Sequence, residues 1–346
     1  WGSSNWGQLG DGTNVNKSSP VQIGALADWS KVFAGLWHSF AMKTDGTIWT
    51  WGFNSSGQLG TGVYSLAQVV PAGGWNDFGY SCSALGLHAI KTNGTLWAWG
   101  PNNNGELGDG TALNKISPVQ IGALTNWSDV VDGKFHAAAL RTDGTIWVWG
   151  LNTGGQIADG TLVSKSSPVQ LGTGTGWVKI VAGQSNTYAL KNDGTVWGGG
   201  DNTAGQLCVG ATSSPVQVGA LTDWSKIAAG NSHFIAIKTD GTLWAWGLSA
   251  NGQLGDGQIA VNRSSPVQIG TLTDWLSVYS GNFVSYAIKT DGTLWAWGYA
   301  NVGQVGDGQI ATSRSSPVQI GNLTNWINST AVVKGGGAAS HIVMIK

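Results

Sequence analysis

One nonapeptide returns through this chain at a nearly constant interval, and that interval limits the folds open to it. Thr44-Asp45-Gly46-Thr47-Ile48-Trp49-Thr50-Trp51-Gly52 comes back at Thr92 to Gly100, Thr142 to Gly150, Asn192 to Gly200, Thr239 to Gly247 and Thr290 to Gly298. The closing Trp-Gly falls at Trp1, Trp51, Trp99, Trp149, Gly199 (Gly in place of Trp), Trp246 and Trp297, in steps of 50, 48, 50, 50, 47 and 51 residues. A period near 50 held along a whole chain is the mark of a propeller or a solenoid. Units that bury a core only against their neighbours make one domain, here residues 1–346 as seven repeats.

Four segments can be read in each unit. After Trp-Gly comes a looping stretch such as Gly105-Glu106-Leu107-Gly108-Asp109-Gly110-Thr111, rich in turn residues. Ser-Pro-Val-Gln-Ile-Gly follows, as at Ser117 to Gly122, where Pro before β-branched residues predicts an edge strand, A. Trp29 to Gly35 predicts strand B and His38 to Lys43 strand C. Asp45-Gly46 then joins C to strand D at Thr47 to Trp51 by a hairpin of type I′, with φ > 0 at both central residues. Four antiparallel strands per unit, seven units and no helical period predict an all-β, seven-bladed propeller; a solenoid is the alternative. The C-terminal His341 to Lys346 reads as a strand C without its D, and Trp1-Gly2 as the end of a D without its C. Closure of the ring by the two termini is therefore expected, within a fragment of a longer chain.

The multi-part motif, Gly-Gln-Leu-Gly-Asp-Gly, Ser-Pro-Val-Gln-Ile, Ala-Gly-x-x-His and Asp-Gly-Thr-Leu-Trp-Ala-Trp-Gly, resembles the regulator-of-chromosome-condensation repeat over essentially the whole chain. The short, near-identical units are most similar to bacterial and phage versions. The resemblance implies a seven-bladed propeller and a virion appendage or cell-surface protein. The eukaryotic prototype is a nucleotide-exchange factor that inserts a wedge into a small GTPase and docks on chromatin. This chain carries no long insertion for a wedge and no basic tail. A plant ultraviolet-B photoreceptor of the same fold uses Trp flanked by Arg, whereas only three Arg occur here.

Charged residues make up only 10% of the chain, and the net charge is −1 without a Lys/Arg cluster, which argues against nucleic acid as a partner. No apolar run approaches the ~18 residues of a membrane span. Neutral, Gly-rich polarity fits an extracellular, virion or cell-surface setting. Cys82 and Cys208 stand in different repeats without a motif, and read as buried thiols with a bridge left open.

Of the 21 Trp, seven open strand B, six lie mid-strand D and six end strand D, which reads as packing between blades. Trp6 and Trp37 stand outside these columns. His38, His136, His233 and His341 share one position before strand C, with Gly86, Asn186 and Val284 there in other copies. A column spread around a ring cannot converge on one metal, so structural hydrogen bonding is expected. Glu106 is the only Glu, and most Asp precede Gly in turns, where Ca²⁺ through loop carbonyls is a weaker alternative. No acid–base pair, metal set or cofactor motif stands out, so no enzyme is expected.

Repeat identity fails in the B–C and D–A loops, which alternation of strand direction puts on one face. The candidate partner-binding residues are Trp6, Trp37, Phe53, Tyr64, Phe135, Phe283 and Tyr299. Aromatics on variable loops are what a binding surface uses. The expected partner is a protein, with a glycan stacked on the same rings as the alternative.

Overall fold

The computed structural model describes residues 1–23, 28–35, 37–61, 67–69, 74–79 and 86–326. Trp127–Asp132, His136–Arg141 and Ile146–Gly150, strands B, C and D of one copy, pair antiparallel in that order. Lys165–Gln170, strand A of the next copy, completes the sheet against strand D. Each blade is therefore offset by one strand from the repeat. Strand A is the most exposed of the four, paired on one side only, which is where Pro168 costs no ladder hydrogen bond. Cys208 is a free thiol; Cys82 lies outside the described residues.

The repeat count predicts seven blades, and the structure corrects it to six four-stranded sheets among the described residues, at 29–68, 75–120, 127–170, 177–217, 224–268 and 275–319. The N-terminal copy contributes only Trp1-Gly2 to a strand D. Two residues sustain a single bridge, Gly2 with Lys17, where a blade needs a ladder. The expected strand at His341 to Lys346 lies outside the described residues, as does its pairing with the N-terminus.

The C–D hairpins also differ from expectation. In blade 3 the Gly144 N–H donates to Arg141 O (2.9 Å) and the Arg141 N–H to Thr145 O (3.0 Å), with Gly144 alone at φ 76°. This is a type I turn closed by a glycine bulge. Asp143 keeps negative φ because its carboxylate accepts from the Thr145 N–H (3.0 Å) and hydroxyl (2.6 Å), bracing the turn from outside.

The Trp columns hold the blades together. The Trp opening strand B and the Trp in mid-strand D enclose the cation that ends strand C: Lys191 Nζ lies 4.8 Å from the Trp177 ring and 4.4 Å from that of Trp197. The Trp ending strand D instead reaches the preceding loop. Its indole N–H donates to a backbone carbonyl there: Trp51 to Gln8 (2.9 Å), Trp149 to Glu106 (2.9 Å), Trp246 to Gln206 (3.0 Å) and Trp297 to Gln253 (2.9 Å). Trp1 makes the same bond to Gln304 (3.1 Å) and so joins the N-terminal segment to blade 6. Burying an indole of about 200 Å² contributes on the order of 5 kcal/mol by area.

The core lies in the seams between sheets, as where Tyr188 of blade 4 packs with Phe234 and Trp246 of blade 5. The seam between blades 3 and 4 is the exception. There the loop glycine that faces the indole in most seams (Gly108 against Trp149) becomes Ala158, and the indole position becomes Gly199. A Cβ on Gly199 would come 2.5 Å from the Ala158 Cβ, whereas at the next seam Cys208, at φ 60°, takes the glycine position with the Trp246 indole still in place.

Candidate loop-face interaction site

Strand register sets the B–C and D–A loops of each blade side by side. The residue after Trp-Gly donates its N–H to the variable B–C residue: Phe53 to Trp37 (2.9 Å), Leu151 to Phe135 (2.7 Å), Asp201 to Ser185 (3.0 Å), Leu248 to Ser232 (2.8 Å) and Tyr299 to Phe283 (2.9 Å). The two variable columns are thus one column of residue pairs. Glycine makes the turn possible, for a Cβ on Gly150, at φ 96°, would stand 2.5 Å from Phe135 O.

Side chains sort these pairs around the ring. Trp6 and Trp37 both contact Phe53, with centroids 4.9 and 5.3 Å away, and Phe283 meets Tyr299 edge-on at 6.4 Å. The N-terminal segment carrying Trp6 is held to blade 6 by Trp1 and to blade 1 by the Trp51–Gln8 bond. The five aromatics therefore form an arc from blade 6 through that segment to blade 1. Trp6 is the most open of them, 54% exposed. Phe135 stands apart, beneath Lys134 Nζ at 5.1 Å. Ser185 and Asp201 give blade 4 a polar pair instead. Tyr64 lies outside the described residues.

The histidines do not converge. Each folds back over the glycine three residues earlier, so that a Cβ on Gly133 would meet His136 Cε1 at 1.9 Å; this contact ties the two ends of the Ala-Gly-x-x-His motif together. His233 Nε2 crosses to the hydroxyls of Ser280 (2.9 Å) and Ser285 (3.0 Å) in blade 6. Burial pushes His136 down to about 4, and His38 and His233 to about 3, so all three are neutral at pH 7. His341 lies outside the described residues.

Sequence reasoning misses a place, among the described residues, where a histidine meets a carboxylate across a seam. His88, in strand C of blade 2, puts Nδ1 2.5 Å from Asp132 Oδ1 of blade 3 and Nε2 3.2 Å from Leu107 O. Glu106 and His136 line the same shallow cleft. Burial pushes the Glu106 carboxyl up. Both His88 ring nitrogens face protein acceptors, which fixes the ring between blade 3 and the loop that carries Leu107. The signals in the sequence are Asp132, charged where other copies carry Ala34, Ala182, Ala229 or Ser280, and His88, where they carry Phe40, Ala138, Tyr188, Ile235 or Tyr286.

The loop carboxylates are likewise engaged. Asp109 binds Lys115 (2.9 Å) and Asp256 binds Arg263 (2.6 Å), and the same pairing recurs at Asp11, Asp159 and Asp307. Burial would raise the Asp109 carboxyl, but hydrogen bonds from Lys115, Thr111 and Asn102 outweigh it and hold the group below its ordinary range. Among the described residues no group of three or more His, Cys, Asp or Glu could hold a metal ion.

Similarity to known proteins follows the same architecture. Human WBSCR16 superposes with a TM-score of 0.85 at 19% identity, covering 99% of this chain and 97% of that one. Prp20p from Saccharomyces cerevisiae, a protein studied for its binding to Gsp1p and histones, gives 0.82 at 21% identity, covering 100% and 91%. At such identities the likeness is one of fold. Human RCC1 domain-containing protein 1 is 40% identical over 70 residues, which span 20% of this chain and 19% of that relative. The RCC1-like domain model matches residues 1–344, and with the repeat motif and the blades it makes this chain a member of the RCC1-like domain family.

Proposed function

We propose that this chain is a non-catalytic interaction module whose loop face, through the arc of Trp6, Trp37, Phe53, Phe283 and Tyr299, binds a protein partner. The carrying observation is that aromatics vary into solvent where six otherwise similar blades differ, on loops braced by backbone hydrogen bonds. Rigid, part-exposed aromatic side chains bind at low entropic cost. Prp20p's binding to Gsp1p and histones supports protein recognition by this fold. The low charge and the resemblance to phage and bacterial repeats favour a virion appendage or cell-surface setting.

A photo-crosslinking amino acid placed at Trp6, and separately at Leu272 on the opposite face, tests this reading in the source organism. Protein adducts from position 6 and none from 272 are expected. The Trp6→Ala/Trp37→Ala double variant should weaken capture of the same protein at least tenfold with unfolding unchanged. Binding to a glycan array, competed by free sugar and lost in that variant, would replace the protein reading with a carbohydrate one.

A further inference from the structure

The same face carries a second feature that shares only Trp6 with the aromatic arc. Five D–A loops hold an aliphatic residue out into water at the tip, Val15, Leu113, Val163, Ile259 and Ile310, whereas Val209 in the loop of blade 4 is only 39% exposed. With Trp6 the five tips make six side chains between 51% and 67% exposed. The leucines on the opposite face, Leu124, Leu272 and Leu323, reach only 36–46%. The tips are built rather than frayed. Asn102 Nδ2 donates to Leu113 O (3.3 Å) and to Asp109 (2.9 Å), while Lys115 closes the same loop. Beside Ile259 and Ile310, Ala260 and Ala311 are held at φ 63° and 69°, a region that costs a non-glycine residue about 1 kcal/mol. Strain kept next to an exposed isoleucine, twice, points to a use for that isoleucine.

We propose that this rim docks face to face on the rim of a second copy of the chain. The proposal rests on the reading of the loop face as the interaction face and names one partner for it. Three observations favour a second copy. The tips recur from loop to loop with blade 4 the exception, and a surface without that repetition would cover only an arc of them. Five rim acids, Asp11, Asp109, Asp159, Asp256 and Asp307, are each paired with a Lys or Arg of their own loop, which leaves Asp201 as the one without a cation among the described residues, and little net repulsion between two such faces. The area also suffices: the six side chains leave roughly 450 Å² of apolar surface open. At the ~60% apolar share of an interface this corresponds to about 750 Å² per partner, near the ~800 Å² of stable pairs.

Sedimentation equilibrium of the chain from 1 to 100 µM tests it. The expected result is twice the 35.8 kDa chain mass, with Leu113→Asp/Ile310→Asp raising the dimer dissociation constant at least 30-fold. Leu272→Asp/Leu323→Asp on the other face should leave it unchanged. Thermal unfolding of each variant monitors the fold, and Leu113→Ser/Ile310→Ser serves if the aspartates unfold. A monomer throughout, or a dimer broken only by the opposite-face pair, overturns the proposal. So does a monomer that sediments with neutral phosphatidylcholine vesicles, which would assign the rim to lipid. A monomer that still crosslinks a foreign protein from position 6 sinks the self-docking and leaves the functional reading standing.

Discussion

His136 sits neutral in a buried slot over Gly133, and acid is what that slot resists. The unfolded chain takes up a proton near pH 6.5, whereas the native residue does so only near 4, because burial opposes the charge. The stability tied to this group is complete above about pH 6.5 and is lost as pH falls toward 4. Between pH 7 and 5 the loss is about 2 kcal/mol. His136→Asn, which copies Asn186 of the next blade, should remove that increment: urea unfolding at the two pH values should differ by about 2 kcal/mol less than in the parent. An unchanged difference would mean the site is hydrated enough to charge freely. The column itself is legible in the sequence. Its chemistry is not, since no spacing reveals that the ring closes over its own glycine. His88 and Asp132 are harder still, being distant in the chain and seated at positions that are apolar or neutral elsewhere.

At the level of elements, the seam between blades 3 and 4 replaces an indole and a glycine by Gly199 and Ala158. Restoring only the indole should be costly, because it would meet the Ala158 methyl: Gly199→Trp should destabilise by about 2–3 kcal/mol. Ala158→Gly alone removes a residue at φ 56° and should cost little. The double variant should recover most of the loss, giving a coupling of about 2 kcal/mol in a thermodynamic cycle. Additive single effects would show that the two positions are independent. Both departures can be seen in the repeat, Gln156-Ile157-Ala158 and Gly198-Gly199-Gly200. Their connection appears only once the strand-D end is known to pack under the preceding loop. The offset of strand A into the neighbouring blade is hidden for a similar reason: the repeat begins wherever the reader cuts it, and hydrogen bonding makes the cut at strand B. The type I turn at Asp143-Gly144 escaped because Asp-Gly fits either geometry until the Thr145 contacts are seen.

For the whole molecule, period and strand polarity sufficed for a propeller, while the blade number did not follow from the number of copies. A copy counts as a blade only when its strands pair in a ladder, and among the described residues Trp1-Gly2 makes only the bridge to Lys17. The arc of aromatics was legible as two separate loop columns; that they are neighbours depended on strand register, and that they gather on one side depended on where the N-terminal segment is held. Nearer the axis the B–C loops carry a feature of another kind. The Lys134 N–H donates to Gln184 O (3.2 Å), Gln184 to Asn231 (3.1 Å) and Asn231 to Asn282 (3.1 Å), a run of backbone bonds from blade 3 to blade 6. In mechanical language this is a hoop. A pull on the loop face would load these bonds together across four blades instead of peeling one seam open. Stretching the chain from residues 134 and 282 should therefore give one large rupture, and a staircase of small ones would show that the blades bear tension singly.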